Sequence, residues 1–97
     1  MISRIEMFIS GYNVLIENNR KCFINDKECI LKSDDIDNIV RIIRNWKYCY
    51  NNSKLFGESH YIIKVICANE EVIYKFNNDF PDNFLELVRY IGGMYAR

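Results

Sequence analysis

Hydrophobic and polar positions alternate through the first third of the chain. Ile5, Met7 and Ile9 fall on one side and Glu6 and Phe8 on the other, the period-two pattern of a strand with one face in a core. Ser10-Gly11 can turn the chain, and Tyr12, Val14 and Ile16 repeat the pattern as far as Glu17. Asn18-Asn19 offers a second turn, because asparagine tolerates left-handed backbone. Cys22-Phe23-Ile24 then runs into Asn25-Asp26-Lys27 and re-emerges as Glu28 to Lys32. Residues 2–32 therefore read as a meander of three or four short antiparallel strands.

At Ser33 the period changes. Ser33 is a good N-cap, Asp34, Asp35 and Asp37 suit the positive end of a helix, and Arg41, Arg44 and Lys47 suit its negative end. Ile36, Ile39, Val40, Ile43 and Trp46 make one apolar stripe, so the spacing predicts an amphipathic helix over residues 34–48. Residues 49–59 carry Asn51-Asn52-Ser53 and Gly57 without periodicity and read as the longest loop.

The last third repeats strands followed by a helix. Tyr61, Ile63, Val65 and Cys67 alternate with His60, Ile62, Lys64 and Ile66, a mixed second face that predicts partial cover on that side. After a turn at Ala68-Asn69-Glu70, Val72, Tyr74 and Phe76 line one face of a returning strand. Asp79 is placed to cap a second helix with Pro81 in its first turn, Phe84, Leu87, Val88 and Ile91 as its stripe, and Gly92-Gly93 as its stop. The order β-β-β-β-α-β-β-α predicts one α+β domain over residues 1–97, a mostly antiparallel sheet of five or six strands with two helices on one face. Lys21, Lys27, Glu28 and Lys32 mark Cys22 to Lys32 as a charge-protected sheet edge. Ile2 to Ile9 is the less protected edge, able to pair across the axis of a homodimer.

Composition narrows the function. The 97 residues are 49% hydrophobic and 14% aromatic, enough apolar area for one core and too much for a disordered chain. Thirteen basic residues balance thirteen acidic ones, which argues against a general polyanion binder. No apolar run approaches the roughly 20 residues that span a bilayer, and Met1 to Phe8 has no signal-peptide core, so a cytoplasmic protein without membrane contact is expected. Cys22, Cys29, Cys49 and Cys67 contain no C-x-x-C, and with a single histidine they match no zinc spacing; free thiols and no metal or cofactor are expected.

Catalytic constellations are equally sparse. His60 could pair with Cys49 or Cys67 in a thiol enzyme, but its neighbours form no nucleophile elbow. Asp34, Asp35 and Asp37 suit a helix start, Glu70 and Glu71 a hairpin tip, and the glycines form no phosphate loop. A non-enzymatic protein is the expectation.

One segment is uneven. Between Asp37 and Glu58 there is no acidic residue, while Arg41, Arg44, Lys47 and Lys54 interleave with Trp46, Tyr48, Tyr50 and Phe56. Cations among aromatics suit a protein interface, where Tyr, Trp and Arg supply most anchors, and also a single-stranded nucleic-acid groove. The plain alternative is a solvated helix end with Trp46 in the core and the tyrosines covering the loop. As a partner-binding site the segment offers Arg41, Arg44, Lys47, Tyr48, Tyr50, Lys54 and Phe56.

Tyr61 to Val65, Val72 to Phe76, Asp79-Phe80-Pro81 and Leu87 to Ile91, with the early Ile9-Ser10-Gly11 turn, resemble emfourin-like proteins, small inhibitors of thermolysin-type metalloproteases. Where those proteins carry a second glycine in the first turn, this chain has Tyr12. The resemblance implies a non-catalytic inhibitor that blocks a protease active site. Fifteen isoleucines and twelve asparagines fit an AT-rich coding sequence, as in low-GC bacteria and their mobile elements. Small solitary domains from such sources are often immunity, anti-defence or inhibitor proteins. A binder that neutralises a protein partner by steric occlusion is the leading expectation, and a nucleic-acid accessory protein the alternative.

Overall fold

The computed structural model describes residues 2–18, 20–52 and 60–97. The strands are β1 (Ile2–Ile9), β2 (Tyr12–Glu17), β3 (Lys21–Ile24), β4 (Lys27–Cys29), β5 (Cys49–Asn51), β6 (His60–Cys67) and β7 (Glu70–Asn77), with helices α1 (Asp35–Ile43) and α2 (Phe84–Tyr95). They form a seven-stranded sheet in the order β4-β3-β2-β1-β6-β7-β5. All pairings are antiparallel except β5 with β7.

The α+β architecture is the one the alternation predicts, with one strand more than expected. That strand is β5, three residues inside the segment read as loop, too short to show a period. It is held by its pairing with β7: the Lys75 amide donates to the Tyr48 carbonyl at 2.9 Å and the Asn52 amide to the Asn77 carbonyl at 2.9 Å. Tight turns set the registers of the meander. Ser10 and Gly11 have φ of 45° and 84°, and Asn25 and Asp26 have 52° and 66°, the paired positive values that suit two-residue hairpins. The expected homodimer through an open edge of β1 is overturned, because β1 is the middle strand and pairs with β2 on one side and β6 on the other. The sheet ends instead at β4, inside the segment read as an edge, and at β5.

Ile5, Met7, Ile9, Val14, Ile16, Ile24, Ile63 and Phe76 project from the sheet into the core that both helices cover through Ile39, Ile42, Ile43, Phe84, Leu87, Ile91 and Met94. The molecule measures 40 × 31 × 21 Å, and the thin dimension holds one sheet and one helix layer at roughly 10 Å each. Among the described residues, no helix packs on the opposite face.

Both helices depart from their predicted ends. α1 stops at Ile43 rather than near residue 48, and its N-cap is Asp34, not Ser33, without a side-chain capping bond. Asp35 instead fixes the chain that enters α1: its amide donates to the Lys32 carbonyl at 3.1 Å while its Oδ2 accepts from the Lys32 amide at 2.6 Å. α2 is capped at Asn83 rather than Asp79, and it runs through Gly92-Gly93 to Tyr95. Gly92 has a packing reason, since a Cβ there would stand 3.0 Å from the Tyr12 hydroxyl. Gly93 has nothing within 4 Å of that position. Gly93→Ala is therefore expected to stabilise the protein by about 0.5–1 kcal/mol in urea unfolding, while Gly92→Ala gains less because Tyr12 must shift.

Among the described residues Asp35 is the buried charge, fully screened from solvent. Arg97 grips it with two parallel bonds, Nη1 to Oδ2 at 2.6 Å and Nη2 to Oδ1 at 2.8 Å, and also donates from Nη1 to the Ile30 carbonyl at 3.1 Å. Tyr90 donates its hydroxyl to Oδ1 at 2.6 Å and accepts from Asn38 Nδ2 at 3.0 Å. Burial alone would raise the Asp35 pKa, but the bonds from Arg97, Tyr90 and the Lys32 amide outweigh it and hold the carboxyl at about 2. Asp35 in turn pushes the guanidinium of Arg97 above its ordinary range. The cluster ties α1, the end of α2 and the segment after β4 into one unit.

Candidate functional site

The cationic and aromatic segment begins on the exposed side of α1 and crosses to β5. Arg41, Arg44, Lys47 and Tyr48 are exposed. Their aromatic neighbours divide by direction. Trp46 is buried, with its indole N–H donated to Asn83 Oδ1 at 2.7 Å, and Asn83 Nδ2 donates to the Ile42 carbonyl at 3.1 Å. One asparagine thus closes the end of α1 against the start of α2. Trp46 belongs to the core, as its place in the apolar stripe over residues 34–48 predicts, and not to an aromatic surface running from Trp46 to Phe56. Tyr50 is half-buried, stacks on Phe76 at 5.5 Å and accepts the Lys47 amide at 3.0 Å. Lys54 and Phe56 lie outside the described residues.

Tyr48 is the outward aromatic. It is 65% exposed, yet its ring leans on Tyr74 at 5.5 Å and its carbonyl is bonded into the sheet. Burial and the neighbouring Tyr48 phenol raise the Tyr74 pKa, so the Tyr74 ring remains neutral at physiological pH. The segment therefore presents one braced aromatic and three exposed cations, Arg41, Arg44 and Lys47.

The thiols and the histidine are spread over the sheet. Cys22 and Cys29 face each other across β3 and β4 and are buried. Burial, with Cys29 and Asp35 nearby, pushes the Cys22 thiol up to about 11, which leaves it protonated and inert. Cys49 and His60 line one depression of 440 Å³ together with Lys75 and Asn77. Their registers place them two strands and two residues apart, roughly 12 Å between Cα atoms, too far for a direct thiol–imidazole bond without rearrangement. Cys67 is at the far end of β6 from His60.

No family model, curated protein or solved structure matches this chain. The resemblance to emfourin-like inhibitors rests on sequence pattern alone.

The mixed second face of β6 predicts partial cover, but among the described residues no helix packs on that face of the sheet. Register puts Phe8, Leu15, Phe23, Ile62, Ile66 and Ile73 on it, mixed with Arg4, Glu6, Glu17, Lys64, Glu71 and Lys75. Phe8 is 49% exposed and the other apolar residues are half-buried. Depressions of 310 and 180 Å³ flank Glu6 and Asn13, one toward Leu15 and Phe23, the other toward Phe8, Ile62 and Lys64. Arg4 contacts Glu6 at 3.6 Å and Glu17 at 3.9 Å, and Lys64 contacts Glu71 at 4.0 Å, exposed pairs that add little to stability. The signal was present: Phe8, Phe23, Ile62 and Ile66 occupy the positions that alternation reserves for polar residues on a solvated face.

Proposed function

We propose that the protein is a non-enzymatic binder that neutralises a protein partner by steric occlusion, with Arg41, Arg44, Lys47 and Tyr48 at the contact. The observation that carries this reading is Tyr48, largely exposed but braced by Tyr74, in a segment whose Arg41, Arg44 and Lys47 are also exposed. A ring already held in place loses little entropy on docking, and Tyr with Arg is the composition of interface anchors. The cations favour a partner surface rich in carboxylates. Inhibition of a metalloprotease is one form such occlusion could take.

The test is capture of the partner from lysate on immobilised protein, followed by titration. Tyr48→Ala is expected to weaken binding by tenfold or more with the circular dichroism spectrum unchanged; full affinity in this variant defeats the site assignment. Raising salt separates the nucleic-acid alternative. Phosphate binding falls with a log–log slope near one per contacted phosphate, whereas an aromatic-anchored protein contact responds far less.

A further inference from the structure

We propose that the helix-free face of the sheet is a self-association surface, on which two copies of the chain pack face to face around a two-fold axis parallel to the strands, between β1 and β6. This surface is distinct from the Tyr48 patch. A dimer would present that patch twice.

The charge pattern selects the occupant. On the side from β1 to β4, the face carries Glu6, Glu17 and Glu28, with Asp26 beside Glu6 and Phe23 in one of its depressions, against Arg4 and Lys21, a net of minus two. From β6 to β7 it carries Lys64 and Lys75 against Glu71, a net of plus one. The halves are opposite in sign and nearly cancel, so the face complements itself and offers no strong field to a highly charged partner. A two-fold axis parallel to the strands keeps each row at its own height and exchanges the two halves.

Row by row, the match is chemical. Phe8 and Ile62 are cross-strand neighbours, so the axis sets Phe8 of one copy over Ile62 of the other, twice. Glu6 and Lys64 are likewise neighbours, so Glu6 meets the second copy's Lys64. One strand further out, Leu15 meets Ile73, because the row Leu15, Glu6, Lys64, Ile73 is continuous across four strands. Glu17 and Glu71 fall together at a corner, where packed twisted sheets diverge by about 30°. Seven strands about 4.8 Å apart, with roughly 20 Å of strand length, give a face of about 600 Å² per copy. That total of about 1,200 Å² is the lower limit for a specific interface.

The experiment uses charge exchange between copies, read by light scattering behind size exclusion on the 97-residue chain. At about 100 μM the unsubstituted protein is expected at the mass of two chains. Glu6→Lys sets a lysine over the second copy's Lys64, and Lys64→Glu sets a glutamate over the second copy's Glu6. Each variant alone should therefore associate at least tenfold more weakly and run as one chain. In their equimolar mixture, a copy of one variant can pair with a copy of the other so that opposite charges meet again, and the two-chain mass should return. Recovery on mixing cannot come from pairs within one copy, nor from an unfolded variant. Phe8→Asp, at an exposed position, should run as one chain alone and in every mixture. Single-chain mass for the unsubstituted protein at several hundred micromolar overturns the proposal, as does a mixture that stays monomeric or a pair of single variants that dimerise normally. None of these outcomes bears on the Tyr48 contact, which partner binding reads separately.

Discussion

Arg97→Met is expected to destabilise the protein by about 3–5 kcal/mol, the usual cost of leaving a buried charge without its partner. Asp35 is fully buried and its carboxylate takes two of its bonds from this one guanidinium. Tyr90 and the Lys32 amide remain, but they carry no charge to offset desolvation. The pH dependence gives the sharper test. In the parent protein the Asp35 pKa is depressed to about 2, below its unfolded value, so it contributes stability that is complete above the unfolded pKa of about 4 and is lost as pH falls through about 2. That contribution is about 2 kcal/mol. Without Arg97 its two bonds and its charge no longer oppose burial, so the carboxyl pKa rises and the variant loses less stability on acidification than the parent does. The gap between the two proteins should therefore narrow as pH falls from about 6 to about 3 in urea titrations. Asp35→Asn combined with Arg97→Met should be less damaging than Arg97→Met alone, since no charge is then left buried. A constant gap across pH, or a single variant as stable as the parent, contradicts the account.

Phe76→Ala should be comparably severe, at about 3–5 kcal/mol, with a fall in Tm of roughly 15–30 °C. Phe76 is the ring on which five aromatics converge or stack in turn: Trp46 lies 5.7 Å away edge-on, Tyr50 is stacked at 5.5 Å, Phe84 is at 5.4 Å, and Phe80 at 6.2 Å bridges on to Tyr61. Removing it opens a cavity in the core and frees Tyr50, whose pairing opposite Phe76 is one of three that hold β5. Two readouts follow. Trp46 is the single tryptophan, so its emission should shift to the red even where the chain stays folded. Partner binding through Tyr48 should weaken as well, because β5 and the preceding residues lose their brace. Phe76→Leu, which keeps most of the volume, should recover much of the stability.

Much of this fold was legible in local sequence. The strands of the meander and of the β6–β7 hairpin announce themselves by alternation, and Phe84, Leu87 and Ile91 mark the buried stripe of α2. What escaped reading depends on partners distant in the chain. Asp35 stands among Asp34 and Asp37 and looks like another helix-start acid; the group that buries it is Arg97, 62 residues on. β5 exists because β7 offers it an edge. Gly92-Gly93 looks like a stop, yet the Tyr12 hydroxyl from β2 explains the first glycine and the helix passes the second. The candidate site divides in the same way. The exposure of Arg41 and Arg44 and the burial of Trp46 follow the apolar stripe read over residues 34–48, whereas Lys47 and Tyr48 lie beyond the end of α1 and the inward turn of Tyr50 depends on Phe76.

The central place of β1 governs the order of assembly. Residues 2–29 can form a local meander as they are synthesised, but β1 then has one edge unpaired until β6, which begins only at His60, has been made. Closing that long loop joins two hairpin units that cannot share a core until they meet, and the search for this contact sets a slow step in folding. Until then the nascent meander displays Ile5, Met7 and Ile9 along an open strand edge, the kind of surface that recruits chaperones or misassembles.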